Sequence, residues 1–222
     1  RLVVTSPWLS PRGILTVSKI FFGLSTIPEW ETLVDSAFPR RILVTGGTGS
    51  FGTAFARSVL QAFPDTSLTL YSRSEYAQVS LRQQFAPYSD RVYFMLGDVR
   101  DAARLRQACR GQDAVVHAAA LKHIRSGEES PHEVIQTNIL GTHNVLEASA
   151  QACVITCVVI SSDKAVAPEN LYGTTKMAAE KLTLAASATY EQTQFHLVRY
   201  GNVINSRGAV LEVFQRLLAQ GE

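Results

Sequence analysis

Arg41-Ile-Leu-Val-Thr45-Gly46-Gly47-Thr48-Gly49-Ser50-Phe51-Gly52 is the stretch on which the fold turns. A short β-branched and apolar run enters glycines spaced G-x-x-G-x-x-G, and a helical pattern over 50–62 follows at once. Glycines in that place permit a tight turn, close backbone approach to a pyrophosphate and close helix–strand packing. The pyrophosphate then rests on a helix N-terminus, where unpaired N–H groups and the helix dipole favour negative charge. Gly46, Gly49, Ser50, Phe51 and Gly52 are therefore the first candidate dinucleotide-binding residues. Glycine spacing alone is also compatible with an ordinary turn, so the surroundings must decide.

They do so by repetition. Further strand-like runs occupy Ser67–Tyr71, Arg91–Leu96, Ala114–Ala118, Val154–Ser161 and Phe195–Tyr200, with helical patterns near 101–110, 131–151, 170–188 and 208–220. Such alternation predicts an α/β fold, a Rossmann-type doubly wound parallel sheet covered on both faces. Residues 1–39 show no sustained period and read as an appendage of unassigned role, with one short helix predicted over 26–37. Residues 40–222 read as the cofactor-binding domain plus the start of a substrate-binding region.

The ends of the strands carry the remaining candidates. At the second, Tyr71-Ser72-Arg73 offers a hydroxyl and a guanidinium where an acid would bond a ribose 2′-hydroxyl; that pair suits a 2′-phosphate and hence NADP. An ordinary surface arginine is the alternative. At the third, Asp98 can accept from an adenine amino group and Val99 can pack on its ring, unless Asp98 merely caps the helix beginning near Asp101. Ala118, Ala119 and Ala120 end the fourth, small enough for a cofactor to lie close.

Tyr172 and Lys176 are four residues apart on a predicted helix and so share one face. A nearby ammonium is expected to lower the phenol pKa, and Lys176 can also hold ribose hydroxyls. Upstream, the fifth strand ends Ser161-Ser162-Asp163-Lys164. Ser162 can bond a substrate hydroxyl. Asp163 and Lys164 suit proton removal beside a carbonyl and protonation of a leaving hydroxyl, or else form a solvated loop ion pair.

Composition excludes several classes. Of 222 residues, 46% are hydrophobic and 18% charged, with a net charge of +2, which gives no footprint for nucleic acid. No run approaches the ~20 apolar residues of a membrane span. Cys109, Cys153 and Cys157 are too few for a disulfide framework and read as reduced thiols of a cytoplasmic protein. No metal site is expected, because the segment around Cys153 and Cys157 reads as buried strand and no His or second Cys pair completes a ligand set.

Together these residues resemble the extended short-chain dehydrogenases/reductases. Within them the chain is similar to soluble inverting UDP-N-acetylglucosamine 4,6-dehydratases, from about Arg41 to the end. The resemblance is carried by Thr45–Gly52, Tyr71-Ser72-Arg73, Gly97–Asp101, Ala118–His123, Thr137–Thr142, Ser161–Ala165, Asn170–Gly173 with Lys176, Val198–Val203 and Ser206–Gly208. Asp163-Lys164 followed by Tyr172-Gly-x-x-Lys176 is its most specific part.

The resemblance implies that Tyr172 takes the proton from the sugar 4-hydroxyl as NADP takes a hydride from carbon 4. Lys164 or a partner then removes the carbon 5 proton, and Asp163 protonates the departing 6-hydroxyl. Return of hydride to carbon 6 and reprotonation of carbon 5 on the opposite face invert that centre. Lys122 and Asn202 are placed by the same resemblance at the cofactor–substrate junction, the partner is a UDP-sugar, and the full-length protein is a homo-oligomer. Tyr172 stands where retaining, membrane-anchored relatives carry Met. His123-Ile124-Arg125 departs from the family's usual His-Val-Pro. The family continues for roughly a hundred residues beyond this chain, which leaves the C-terminal substrate-binding portion largely absent. The competing expectations are a 4-epimerase, a retaining dehydratase, or a cofactor-binding but inactive fragment.

Overall fold

The computed structural model describes residues 38–201. The predicted helices at 26–37 and 208–220, and Asn202, lie outside the described residues. Six strands alternate with helices: β1 (Arg41–Thr45), α1 (Ser50–Ala62), β2 (Ser67–Ser72), α2 (Glu75–Gln84), β3 (Val92–Leu96), α3 (Ala102–Cys109) and β4 (Ala114–His117). The chain continues through α4 (Ile124–Glu129), α5 (Pro131–Ile135), a wide π turn (Gln136–Leu140), α6 (Gly141–Gln151), β5 (Thr156–Ser162), α7 (Leu171–Thr189) and β6 (Gln194–Tyr200). One 3-10 turn at Asp163–Ala165 joins β5 towards α7, and another spans Ala86–Tyr88.

All strands pair in parallel, in the order β3-β2-β1-β4-β5-β6. The sheet is doubly wound, as the alternation predicts. Strand order reverses between β1 and β4, so the chains leaving their C-terminal ends part in opposite directions. That crevice is where open α/β sheets bind ligands.

Period-two alternation splits the core between the two faces. Ile42 and Val44 of β1 and Ala114 and Val116 of β4 pack with Phe55, Ala56, Val59 and Leu60 of α1. Leu43 and Val115 point the other way, onto Leu105 of α3 and Val145 and Leu146 of α6. The buried positions of α1 (52, 55, 56, 59 and 60) make a single helical stripe. Leu43 is fully buried; its truncation to alanine would cost ~2–5 kcal/mol.

Some boundaries differ from expectation, each for a local reason. α2 escapes the periodicity because Gln78 and Leu81 are its only buried residues; Ser74 caps it, accepting from Ala77 N–H at 3.2 Å. α4 is only six residues long and buries only Gly127. The single helix expected over 131–151 is interrupted by the π turn. Cys153 is not in a buried strand: it is exposed, at φ 53°, in the bend before β5, whereas Cys157 is buried within β5.

Candidate active site

The first glycine of the turn is held by crowding as well as by conformation. Gly46 has φ +67°, and a Cβ there would stand 2.8 Å from the Ala119 nitrogen and 2.9 Å from the Ala118 carbonyl. The β1 turn and the β4 end are thus in backbone contact, and Ala118-Ala119-Ala120 flanks the glycines. Gly49 N–H donates to Gly46 O at 2.8 Å and Gly49 forms the N-cap of α1 without a side-chain cap; no acidic residue lies in the first turn. Ser50 opens that turn and Gly52 is buried within it. A helix N-terminus whose N-cap residue is a glycine and whose first turn holds no carboxylate fits a pyrophosphate. Phe51 stacks on Tyr200 at 6.3 Å between ring centroids, so the turn is joined by an aromatic contact to the end of β6.

At the other end of the crevice Ser72 is buried, and its hydroxyl accepts from Gln78 Nε2 at 3.0 Å. Gln78 also donates to the Ser72 and Met95 carbonyls; this orienting residue was missed because glutamine on a polar helix gives no sequence signal. Arg73 is half exposed, 3.8 Å from Asp98 Oδ2. Asp98 does not cap α3, for Asp101 does so, accepting from Arg104 N–H at 2.9 Å. Instead Asp98 accepts from Arg100 N–H at 3.0 Å and from Arg100 Nη2 at 2.7 Å. Burial would raise the Asp98 carboxyl, but the Arg100 hydrogen bonds and the Arg100 and Arg73 charges hold it below the usual range. Val99, expected to meet an adenine ring, is 4% exposed and sits in the core against Gly141, so little of it remains for a ligand.

Beneath the crevice runs a buried polar chain that the sequence did not disclose. Thr142 donates to Asn138 O at 2.6 Å, so its oxygen accepts from His117 Nε2–H at 3.0 Å. His117 Nδ1 is then the acceptor for the Thr45 hydroxyl at 2.7 Å. Burial, and secondly the Lys176 charge, push His117 down to about 3, which keeps it neutral in this tautomer. Asn138 exchanges two hydrogen bonds with the Leu121 backbone and donates to Thr175 Oγ1 at 3.1 Å. Thr175 in turn donates to Tyr172 O at 2.8 Å. The glycine turn and the helix of Tyr172 are linked by this chain. Lys122 lies just beyond Leu121 and is exposed.

The catalytic candidates meet where β5 passes into α7. Ser162 donates to Asp163 Oδ1 at 2.9 Å, and Lys164 Nζ donates to the same oxygen at 3.1 Å. Burial would raise Asp163, but the bonds from Ser162 and Lys164 and the Lys164 charge hold it low. Asn170 caps α7, accepting from Gly173 N–H at 2.9 Å. A Cβ on Gly173 would overlap the Lys164 carbonyl, so only glycine lets α7 start this close to the Asp163–Lys164 turn. Tyr172 is thereby brought beside Ser162 and Asp163.

The expected pairing of Tyr172 with Lys176 needs correction. Burial pushes the phenol pKa up, the neighbouring Ser162 hydroxyl pulls it back, and the Asp163 charge pushes it up again, so the net shift is upward. Lys176 does not act on it: the ammonium is buried and donates to Ile160 O at 2.6 Å. Burial pushes Lys176 down to about 8, opposed by Glu180. Glu180 was missed although it continues the Tyr172, Lys176 spacing by one more turn. It accepts from Ser161 Oγ at 2.5 Å and from Arg199 Nε at 2.7 Å, and Arg199 Nη2 bonds its other oxygen.

Among the described residues no group of three His, Cys, Asp or Glu could hold a metal, and no helix is long and apolar enough to cross a membrane. A family model described as polysaccharide biosynthesis protein matches residues 42–222. The chain belongs to that family, among the extended short-chain dehydrogenases/reductases.

Within the polysaccharide biosynthesis family, one relative is the inverting UDP-N-acetylglucosamine 4,6-dehydratase of Campylobacter jejuni. It is 45% identical over 184 residues, covering 82% of this chain and 54% of the relative. The UDP-glucose 4-epimerase of Rickettsia akari is 39% identical with the same coverages. A solved dTDP-glucose 4,6-dehydratase of Streptomyces venezuelae, with NAD bound, superposes at a TM-score of 0.71 with 27% identity, over 82% of this chain and 62% of that one. The chain spans about half the length of the curated relatives it matches.

Proposed function

We propose that the protein is an inverting, NADP-dependent UDP-N-acetylglucosamine 4,6-dehydratase, whose residues 40–222 form the cofactor domain and the start of the substrate-binding region. The observation that carries this reading is the Asp163–Lys164 pair, hydrogen-bonded at the end of β5, with Ser162 on the same carboxylate and Tyr172 close by. Hydride transfer alone needs no such pair. Elimination of a hydroxyl beside a ketone needs both an acid and a base.

The glycine turn and the N-terminus of α1 would hold the pyrophosphate, Ser72 and Arg73 the 2′-phosphate, and Lys176 the ribose hydroxyls. When bound, NADP⁺ would serve as acceptor of the hydride from sugar carbon 4 and, once reduced, as donor of a hydride to carbon 6, with carbon 5 regaining a proton on the opposite face. Tyr172 accepts the 4-hydroxyl proton. Lys164 and Asp163 start as an ion pair, whereas elimination needs an amine and a carboxylic acid. Transfer of one proton from Lys164 Nζ to Asp163 Oδ1, along their existing hydrogen bond, converts both groups together. Exclusion of water by a bound sugar favours this neutral pair over the charged one. Lys164 then removes the carbon 5 proton and Asp163 protonates the leaving 6-hydroxyl, which departs as water.

The thiols of Cys109 and Cys157, pushed up to about 11 and about 12 by burial, are unreactive and fit a cytoplasmic setting. The second reading is a 4-epimerase, favoured by the Rickettsia likeness. Incubation with NADP and UDP-N-acetylglucosamine, with NMR of the product, tests the assignment. A 4-keto-6-deoxy sugar inverted at carbon 5 supports it. A 4-epimer, or retention at carbon 5, overturns it, and NADP binding without conversion would mean that these 222 residues form a binding fold alone.

A further inference from the structure

Tyr172, Lys176 and Glu180 form one stripe of α7, and each reaches a different residue at the end of β5. Tyr172 meets Ser162, Lys176 donates to the Ile160 carbonyl, and Glu180 accepts from Ser161. The two upstream residues of this stripe belong to the proposed chemistry. Glu180 does not, yet it is 5% exposed and takes three hydrogen bonds, two of them from Arg199 at the end of β6. A carboxylate so deep in a fold is expensive unless something nearby needs its charge. Arg199 alone does not explain it, since that side chain is 30% exposed and can be served by water. Lys176, one turn away, cannot: it is 6% exposed, and its ammonium donates to a neutral carbonyl.

We propose that Glu180 is a positioning residue for Lys176: clamped by Ser161 and Arg199, its carboxylate keeps the buried lysine charged and in place beside the cofactor. The idea rests on Lys176 serving the cofactor ribose, as the functional reading holds. The other groups facing Lys176 do not substitute for Glu180. His117, from β4, is neutral throughout the relevant range. Tyr172, on the same helix, is a protonated phenol with its pKa raised. From β5 comes only the Ile160 carbonyl, and the Arg199 cation from β6 acts through Glu180 itself.

The test follows the lysine directly, by NMR of protein labelled at lysine side chains, with Lys176→Met to assign the resonance. In the unaltered protein Lys176 should titrate at about 8. In Glu180→Gln it should titrate about one pH unit lower or more, a tenfold change in its protonation equilibrium. Glu180→Gln/Arg199→Gln removes both charges and guards against failure of the single variant to fold. It should regain thermal stability relative to Glu180→Gln while keeping the lowered titration. Calorimetry should then show NADP binding by Glu180→Gln weakened about fivefold or more at pH 8 and recovering towards pH 6. If Lys176 titrates unchanged in both variants, Glu180 merely satisfies Arg199 and the proposal fails. If the lysine shifts but NADP does not bind even the unaltered protein, the cofactor reading fails while the role of Glu180 towards Lys176 stands.

Discussion

Lys164 Nζ and the Ser162 hydroxyl both donate to a single oxygen, Asp163 Oδ1, at 3.1 and 2.9 Å. Two neighbouring side chains thus converge on one acceptor, and Tyr172 lies beside them. Two different steps of the proposed reaction therefore meet at Ser162 but do not use the same terminal group.

Separate variants should reveal that division. Tyr172→Phe should abolish the reduced-cofactor absorbance in single turnover with UDP-N-acetylglucosamine. Asp163→Asn should leave that absorbance and slow loss of the 6-hydroxyl by about a hundredfold or more, the scale of a lost general acid. Failure of both at the first oxidation would show that Asp163 serves Tyr172 rather than the leaving group.

Cofactor choice should depend on Arg73, which is half exposed beside the buried Ser72 hydroxyl. A charge-assisted bond to a 2′-phosphate contributes ~1.5–3 kcal/mol. Arg73→Ala should weaken NADP binding about tenfold or more and leave NAD unchanged, as read by calorimetry. Equal affinity of the unaltered protein for NAD and NADP would remove the basis for this assignment.

Acid should destabilise the fold through His117. Its ordinary value is 6.5, and the folded value is about 3. Between these, the unfolded chain binds a proton that the fold refuses, so stability falls as pH drops through this window, by about 1.4 kcal/mol per pH unit. Carboxylates titrate in the lower part of the same range, so the comparison must be with His117→Gln. Urea melts from pH 7 to 5 should give that variant a shallower loss by about one proton. Parallel slopes would mean that His117 is charged in the fold.

Gly46→Ala should destabilise by ~2 kcal/mol or more, combining the left-handed backbone penalty with the collision at Ala119. Thermal melts read this. An unchanged midpoint would show that the β1 turn can move away from β4.

The sheet was legible because its signal is local and repeated: Ile42, Leu43 and Val44 are apolar because both faces of β1 are covered. The glycines, Ser162, Asp163, Lys164 and Tyr172 stood out as well, being rare residue types at a strand end or in fixed spacing. His117, Glu180 and Gln78 did not. Each takes its meaning from a partner far along the chain, such as Thr142, Arg199 or Met95, and nothing in a neighbouring residue announces it. The direction of Lys176 was misread for the same reason. Spacing places a residue on a face of a helix, but the acceptor it finds there, the Ile160 carbonyl, belongs to another element.

The wide turn at Gln136–Leu140 makes chain length itself a determinant of the site. Each α-helical residue advances about 100° around the axis, and a π turn holds one residue more than an α turn. Val134, Asn138 and Thr142, spaced by four, all remain buried along one seam. Deleting one residue from this turn would restore a regular helix and rotate everything before it by about 100°. Val134 would swing out of its apolar surroundings, and Asn138 would no longer meet Leu121 and Thr175. A frame of one residue, rather than any side chain in it, keeps the two halves of the crevice in phase.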